Sequence, residues 1–355
     1  MPGRIGYRPP LVSEPEPDRL YRNQGDGTFV DATVESGLAR ADGNGSRAWP
    51  SSTWTTTAVP RFSSPTTRRR TGSGNNRGGL KFDEVGLSWG VAYNETGDAM
   101  AGMGVAAGDV DGDGRIDLIV TNFYEEGHLH RNVGQVNSRW RRPGPGSGIP
   151  TRSKLGFGTG LTDLDNDGAL DLFIANGHVN DVRPIRMPYQ MNPQLFHNDG
   201  RGQFVDVSRQ AGAYFQELLL GRSAAFGDLD NDGRVDIAVT HNTGPPAFLH
   251  NESPHPGHAV RLDLEAKLAG RTIRNPVGTR VTVSTRKGRI VRQVMAGTSY
   301  LSSSDPRPSI GIGTADQAMT VEVRWPDGAI ESWTNVPTDR RVRLIQGRRT
   351  IESSG

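Results

Sequence analysis

Three stretches decide how this chain reads: Asp109-Val-Asp-Gly-Asp-Gly-Arg-Ile-Asp117, Asp163-Leu-Asp-Asn-Asp-Gly-Ala-Leu-Asp171 and Asp228-Leu-Asp-Asn-Asp-Gly-Arg-Val-Asp236. Each sets carboxylates at positions 1, 3, 5 and 9 around a glycine at position 6. A hard cation such as calcium takes about six to eight oxygens in a flexible cage, and a tight turn at the glycine folds the oxygens onto one point. The spacing therefore predicts three calcium sites. Their ligands would be Asp109, Asp111, Asp113 and Asp117; Asp163, Asp165, Asp167 and Asp171; and Asp228, Asp230, Asp232 and Asp236. The position-7 carbonyls of Arg115, Ala169 and Arg234 would complete the cages. An EF-hand is excluded, because its twelfth position needs a bidentate Glu and these loops carry Val120, Ile174 and Val239 there.

Successive loops start 54 and 65 residues apart, a spacing that suits one propeller blade plus variable connections. Each loop runs into a short apolar, partly β-branched stretch: Leu118-Ile-Val-Thr-Asn122, Leu172-Phe-Ile-Ala-Asn176 and Ile237-Ala-Val-Thr-His241. Such runs read as buried strands. A closing motif follows, with Arg or His before Asn: Leu129-His-Arg-Asn132, Leu195-Phe-His-Asn198, Phe248-Leu-His-Asn251, and earlier Leu20-Tyr-Arg-Asn23. Glycine turns lead to an aromatic strand at Gly25-Asp-Gly-Thr-Phe29 and Gly200-Arg-Gly-Gln-Phe204, and Gly78-Gly-Leu-Lys-Phe82 keeps that ending. Ser36-Gly37 and Ala211-Gly212 close their units. This grammar resembles the FG-GAP repeat, the blade of integrin-type β-propellers. The resemblance implies an all-β fold, with a partial propeller over residues 1–252.

Beyond Pro254-His-Pro256 the acidic loops end and alternation begins, at Val260-Arg-Leu-Asp-Leu264, Val277-Gly-Thr-Arg-Val-Thr-Val283 and Val321-Glu-Val-Arg-Trp325. Residues 256–355 resemble the ASPIC/UnbV domain through Asn275-Pro-Val-Gly-Thr-Arg-Val281, Gly297-Thr-Ser-Tyr-Leu-Ser-Ser303, Ile310-Gly-Ile-Gly313 and Val323-Arg-Trp-Pro-Asp-Gly328. Pro276-Val-Gly-Thr279 and Gly311-Ile-Gly313 are mild departures from that pattern. A C-terminal β-sandwich-like domain is expected, with Val281, Val283, Val321, Val323 and Trp325 in a core of its own. Gly297, Gly311 and Gly313 should sit at turns or close approaches. A propeller followed by this domain is similar to the cartilage acidic protein family.

Composition agrees. The 355 residues are ample for two domains, and 46 Gly with 23 Pro signal many tight turns. Cysteine is absent, which removes disulfides, thiolate zinc sites and a cysteine nucleophile. No window reaches the roughly 18 apolar residues of a membrane span. The stretch Met1–Pro10 lacks the apolar core of a signal peptide and runs soon into a blade at Leu20, so the start is expected to be internal to a longer product.

Residues 46–77 break the grammar. They carry Arg47, Arg61, Arg68, Arg69, Arg70 and Arg77 and no acid; without them the formal charge moves from +2 to −4. A Ser/Thr-rich linker is one reading; a reading-frame error with disorder is the other. Overlapping codons favour the second. The third base of the Trp54 codon with the first two of Thr55 spells Asp, and the Thr-Thr pairs after it admit Asp or Asn. Thr57-Ala58 admits Gly, and Pro60-Arg61 admits Glu at position 9. A missing acidic loop is thereby restored at the expected spacing.

Chemistry finds little footing. His130, His197 and His250 occupy the repeat's Arg/His slot, where a structural role is favoured, and His128-Leu-His130 lacks a placed carboxylate partner. Thr298–Ser304 is hydroxyl-rich without a nucleophile elbow, so a turn-rich strand is expected. Tyr300 and Arg307 are candidates for ligand contact, with packing favoured for Tyr300. Arg139-Trp-Arg-Arg142 lies in a Pro/Gly-rich stretch with no companion basic patch, which argues for an exposed insertion over a nucleic-acid site. The expected function is non-enzymatic binding of a protein or glycan at a cell surface or in extracellular space. The competing class is an accessory or hydrolytic enzyme of secondary metabolism, as UnbV-type resemblance implies. Sequencing the gene across codons 40–80 tests the frame reading: Asp codons in the shifted frame are expected there, and their absence rejects it.

Overall fold

The computed structural model describes residues 19–37, 61–63, 72–93, 97, 102–122, 127–134, 140–141, 149–151, 154–179, 181, 188–254, 256–268, 270–297, 299–315 and 318–353. The chain is nearly all β, in several sheets, none closed into a barrel. The first is a ribbon of β1 (Tyr21–Asn23) and β2 (Phe29–Asp31), and the next joins β3 (Arg61–Ser63), β4 (Gly72–Gly78) and β5 (Lys81–Glu84). Two four-stranded meanders follow. One comprises β6 (Gly102–Gly108), β7 (Asp117–Asn122), β8 (His128–Asn132) and β9 (Trp140–Arg141). The other comprises β10 (Gly156–Thr162), β11 (Asp171–Asn176), β12 (Gln194–Asn198) and β13 (Phe204–Asp206). A three-stranded meander of β14 (Gly221–Gly227), β15 (Asp236–His241) and β16 (Ala247–Leu249) completes the propeller-like part. All three acidic loops are the hairpins between first and second strands of their meanders.

The unbroken apolar runs of the second strands have a direct cause: both faces are covered. Leu118 and Val120 pack with Trp89, Val91 and Val105, whereas Ile119 packs with Leu172, Ile174 and Phe196 of the next meander. One step on, Phe173 and Ala175 face Ala224, Phe226 and Ile237. Each core is therefore shared by two neighbouring blades. The first strands stand side by side, β6 against β10 and β10 against β14. Glycine permits that approach: a Cβ on Gly158 would lie 2.5 Å from Arg222 O and 2.6 Å from Ala224 N.

Each first strand bulges at the same place, between Gly102 and Val105, Gly156 and Thr159, and Gly221 and Ala224. Each first strand also lies at the end of its sheet, so backbone groups on its far edge have no strand partner, and buried groups need partners. The C-terminal domain supplies them. Ser299 donates its N–H to Val105 O (3.1 Å) and accepts from Thr159 N at 2.6 Å, and Ser302 Oγ donates to Ala224 O at 2.6 Å. Ser304 Oγ accepts from Phe226 N at 3.2 Å, and Tyr300 packs edge-on against Phe157 with ring centroids 5.1 Å apart. Where a turn-rich strand is expected, residues 299–304 are irregular, completing β10 and β14 through their hydroxyls and β6 through the Ser299 N–H. Packing is the role Tyr300 takes.

That domain has two sheets. In one, β17 (His258–Leu268) is flanked by β18 (Arg271–Arg274), β21 (Ser309–Gly313) and, in parallel, β24 (Arg341–Ile345), with β25 (Ile351–Ser353) outermost. The other orders β20 (Gly288–Gln293), β19 (Arg280–Thr285), β22 (Ala318–Arg324) and β23 (Ile330–Val336). Val281, Val283, Val321, Val323 and Trp325 join Val260, Leu262, Leu264 and Trp333 in one core, distinct from the blade cores, as the alternation predicts. Gly297 and Gly313 take positive φ (66° and 63°), and Gly311 lies against the Asn166 backbone.

Two expectations need correction. Within 46–77, Arg61–Ser63 and Gly72–Gly78 are paired strands rather than irregular chain; residues 46–60 and 64–71 lie outside the described residues. Trp140–Arg141 pairs with β8 as an outer strand instead of belonging to a loop insertion. Backbone pairing needs no apolar side chains, so neither strand announces itself by hydrophobic pattern. Replacing Gly158 with Ala should destabilise the protein by about 1–3 kcal/mol, the usual overpacking penalty. Urea unfolding against the parent chain measures it, and an unchanged midpoint contradicts the close-approach account.

Candidate metal centre

The nine residues of each loop form a shell of internal hydrogen bonds that repeats three times. At position 1, Oδ2 accepts from the position-6 N–H: Gly114 to Asp109 at 2.9 Å, Gly168 to Asp163 at 3.0 Å, Gly233 to Asp228 at 3.2 Å. At position 5, Oδ1 accepts from the position-7 N–H at 2.7–2.8 Å in all three loops. At position 9, Oδ2 accepts from the position-2 N–H at 3.0–3.2 Å. Glycines 112, 114, 168 and 233 and Asn166 and Asn231 take the positive φ values that turn the chain around the centre. Asparagine is the non-glycine residue that tolerates this region best.

The closing Asn, visible in the sequence, has a structural purpose the sequence leaves unstated. Its backbone N–H donates to Oδ1 of the position-9 Asp, from Asn132 to Asp117 (2.7 Å), Asn198 to Asp171 (3.1 Å) and Asn251 to Asp236 (2.8 Å). Its side chain then bridges two loops. Asn198 Nδ2 donates to Leu170 O in its own loop and to Val110 O in the preceding one; Asn251 does the same with Val235 O and Leu164 O. The three loops are thereby linked in series.

The position-1 aspartate of every loop has one oxygen left over. Oδ1 of Asp109, Asp163 and Asp228 has no hydrogen-bond partner, although these residues are only 5%, 4% and 8% exposed. Asp111 Oδ1 is in the same condition. A buried charged acceptor without a donor costs several kcal/mol unless something else meets it. Carboxylate oxygens of Asp109, Asp111 and Asp117 lie within 4.8 Å of one another, as do those of Asp228, Asp230 and Asp236. These clusters could hold a metal ion, and an all-oxygen set with anionic donors fits a hard divalent cation. In the second loop the gathered set is Asp165, Asp167 and His197, and in the third Asp230 and Asp232 also meet His250.

The histidines were not foreseen as neighbours of the loops. His197 Nδ1 stands 3.1 Å from Asp171 Oδ1, and His250 Nδ1 3.4 Å from Asp236 Oδ1. The expectation for His130 is corrected: Arg131, next to the closing Asn132, takes the equivalent slot in the first repeat, 3.6 Å from Asp111 and bonded to Arg201 O and Gly202 O of the next blade. The position-7 arginines, Arg115 and Arg234, pair with Asp113 and Asp232. Arg307, considered for ligand contact, is paired with Asp305.

Burial dominates the titration of these carboxyls. It pushes Asp117 and Asp163 up to about 7 and Asp171 to about 6. It raises Asp109, Asp113 and Asp167 as well, with the neighbouring aspartates adding to the shift.

The same loops fall within known families. Residues 109–174 and 163–239 match the FG-GAP-like repeat, and residues 270–351 match the ASPIC and UnbV family. The chain is 26% identical over 268 residues to Cartilage acidic protein 1 of Homo sapiens and 25% identical over 268 residues to that of Mus musculus. The alignments take in 73% of this chain but only 37% and 38% of those relatives, so it spans well under half their length. The chain therefore carries FG-GAP-like repeats followed by an ASPIC/UnbV domain.

In chelator-treated protein the folded state retains protons on Asp117 and Asp163 between pH 3.8 and about 7, where the unfolded chain has released them. Protonation then favours folding, so stability should be greatest at the acid end of that window, decline as pH rises through it and level off above. Chemical denaturation at a series of pH values measures the slope. A rise in stability across the window contradicts the assignment.

Proposed function

We propose that this chain is a calcium-stabilised β-propeller protein that binds a protein or glycan ligand in extracellular space or at a cell surface, and that it is not an enzyme. The observation that carries the reading is the buried, partnerless Oδ1 of the position-1 aspartate, repeated in three loops. One cation in each loop would meet that atom together with the carboxylates at positions 3, 5 and 9. The carbonyls of Arg115, Ala169 and Arg234 would complete the shell. Calcium suits this donor set better than magnesium, which demands near-ideal octahedral geometry and dehydrates reluctantly.

Loops of this kind support binding more readily than catalysis. Four carboxylates and a carbonyl leave little open coordination for a substrate, whereas a hydrolytic metal needs an open position. Extracellular modules bind calcium at about 10⁻⁴–10⁻³ M, a range that surroundings rich in calcium keep filled. Likeness to Cartilage acidic protein 1 supports the same setting, and among the described residues no helix is long and apolar enough to cross a membrane.

Scanning calorimetry tests the metal. Calcium bound to the folded state alone adds about 0.4–1.4 kcal/mol per site at a one- to tenfold excess over Kd, which three sites multiply. Millimolar calcium should therefore raise the Tm of chelator-treated protein by several degrees, and Asp163→Asn should remove one site from the titration. An unchanged Tm at millimolar calcium rejects the reading.

A further inference from the structure

Beyond the loops themselves, the C-terminal domain covers their outer side, and it does so with arginine. Arg280 of β19 donates to Gly114 O in the first loop. Arg292 of β20 donates to Gly168 O in the second at 3.0 Å, with its guanidinium 3.7 Å from Asp163 Oδ2. Arg341 of β24 stands 3.8 Å from Asp228 Oδ2 in the third. Each loop receives at least one guanidinium from the same domain, and Arg261 also packs against Gly233 of the third. Two backbone donors join them on the second loop: Gly257 N–H to Asp165 O at 2.7 Å and Gly313 N–H to Asn166 O at 2.8 Å.

The carbonyls engaged are those at positions 3, 4 and 6, none of which belongs to the ligand set of positions 1, 3, 5 and 9 side chains and the position-7 carbonyl. A peptide whose N–H turns inward presents its carbonyl outward. The Gly168–Ala169 peptide is held this way: Ala169 N–H donates to Asp167 Oδ1 at 2.7 Å while Gly168 O accepts from Arg292. The centre of the loop and its rim are therefore set by the same few peptides. An arginine on the rim does not compete for a ligand atom; it fixes the turn that aims the ligands. Charge pairing alone would favour the metal-free loop, and that is the contact Arg341 makes with Asp228; for Arg280 and Arg292 the carbonyl bonds are the closer contacts.

We propose that Arg280 and Arg292 couple metal binding in the first two loops to docking of the ASPIC/UnbV domain, acting as positioning residues for the ion while the ion holds the domain in place. This rests on the calcium reading of the loops. Coupling of this kind is reciprocal: whatever free energy the docked domain adds to metal binding, the metal returns to docking.

Hydrogen exchange on the full chain, read by mass spectrometry with and without calcium, tests the proposal. Chelation should speed exchange at Gly257, Gly313 and Ser299, whose amides donate across the boundary to Asp165 O, Asn166 O and Val105 O. The amides that pair β19 with β22 inside the domain should keep their protection. Calorimetric titration of Arg292→Met with calcium should show one site weakened by about ten-fold, within the usual range of coupling between sites. Arg280→Met provides the same test on the first loop should the first variant fold poorly. Unchanged exchange at Gly257 and Gly313 on chelation, or collapse of the β19–β22 amides together with them, overturns the coupling. So does full calcium affinity in both variants. Wild-type protein that binds no calcium overturns the loop reading instead, and the coupling with it.

Discussion

Everything in the propeller-like part turns on one constraint: carboxylates gathered out of water must be met by donors or by a cation. Each loop meets most of them with its own backbone, since N–H groups at positions 2, 6 and 7 all end on aspartate oxygens. These bonds explain why four acids can share so small a space. They also show what is missing, because the shell closes around Oδ1 of the first aspartate without touching it. The strands follow from the loop. It is the hairpin that joins first and second strands, so its geometry sets the angle at which each blade starts.

Much of this was legible in the residues. The spacing of Asp109, Asp163 and Asp228 marked the repeats, and the runs after each loop marked strands whose two faces are both covered. In the C-terminal domain, alternation from Val260 to Trp333 picked out the core residues, because a sheet with one buried face writes its period into the chain.

What the sequence left hidden are relations between distant parts. Gly156-Phe-Gly158 reads as an ordinary flexible stretch until the neighbouring strand is known to pass at contact distance. The serines of 299–304 look like a polar strand because nothing local says that the edges of three other strands lack partners. Arg280, Arg292 and Arg341 look like surface charges on alternating strands, yet they reach loops more than a hundred residues away. The histidines at positions 197 and 250 were visible as a motif slot, but only antiparallel pairing with the second strand places them beside the position-9 aspartate. The strands at 61–63 and 72–78 have no hydrophobic signature at all, and backbone pairing alone defines them.

The bridging asparagines have a consequence for how such a chain can change length. Asn198 and Asn251 each hold a carbonyl of their own loop and one of the loop before. A cut anywhere inside that interval strands half of a bond pair. A cut from one asparagine to the next leaves every donor with an acceptor of the same kind in the same place. Duplication or loss of blades in this architecture should therefore be tolerated in whole steps measured from asparagine to asparagine, with the phase of the step fixed by a side chain outside the acidic loop.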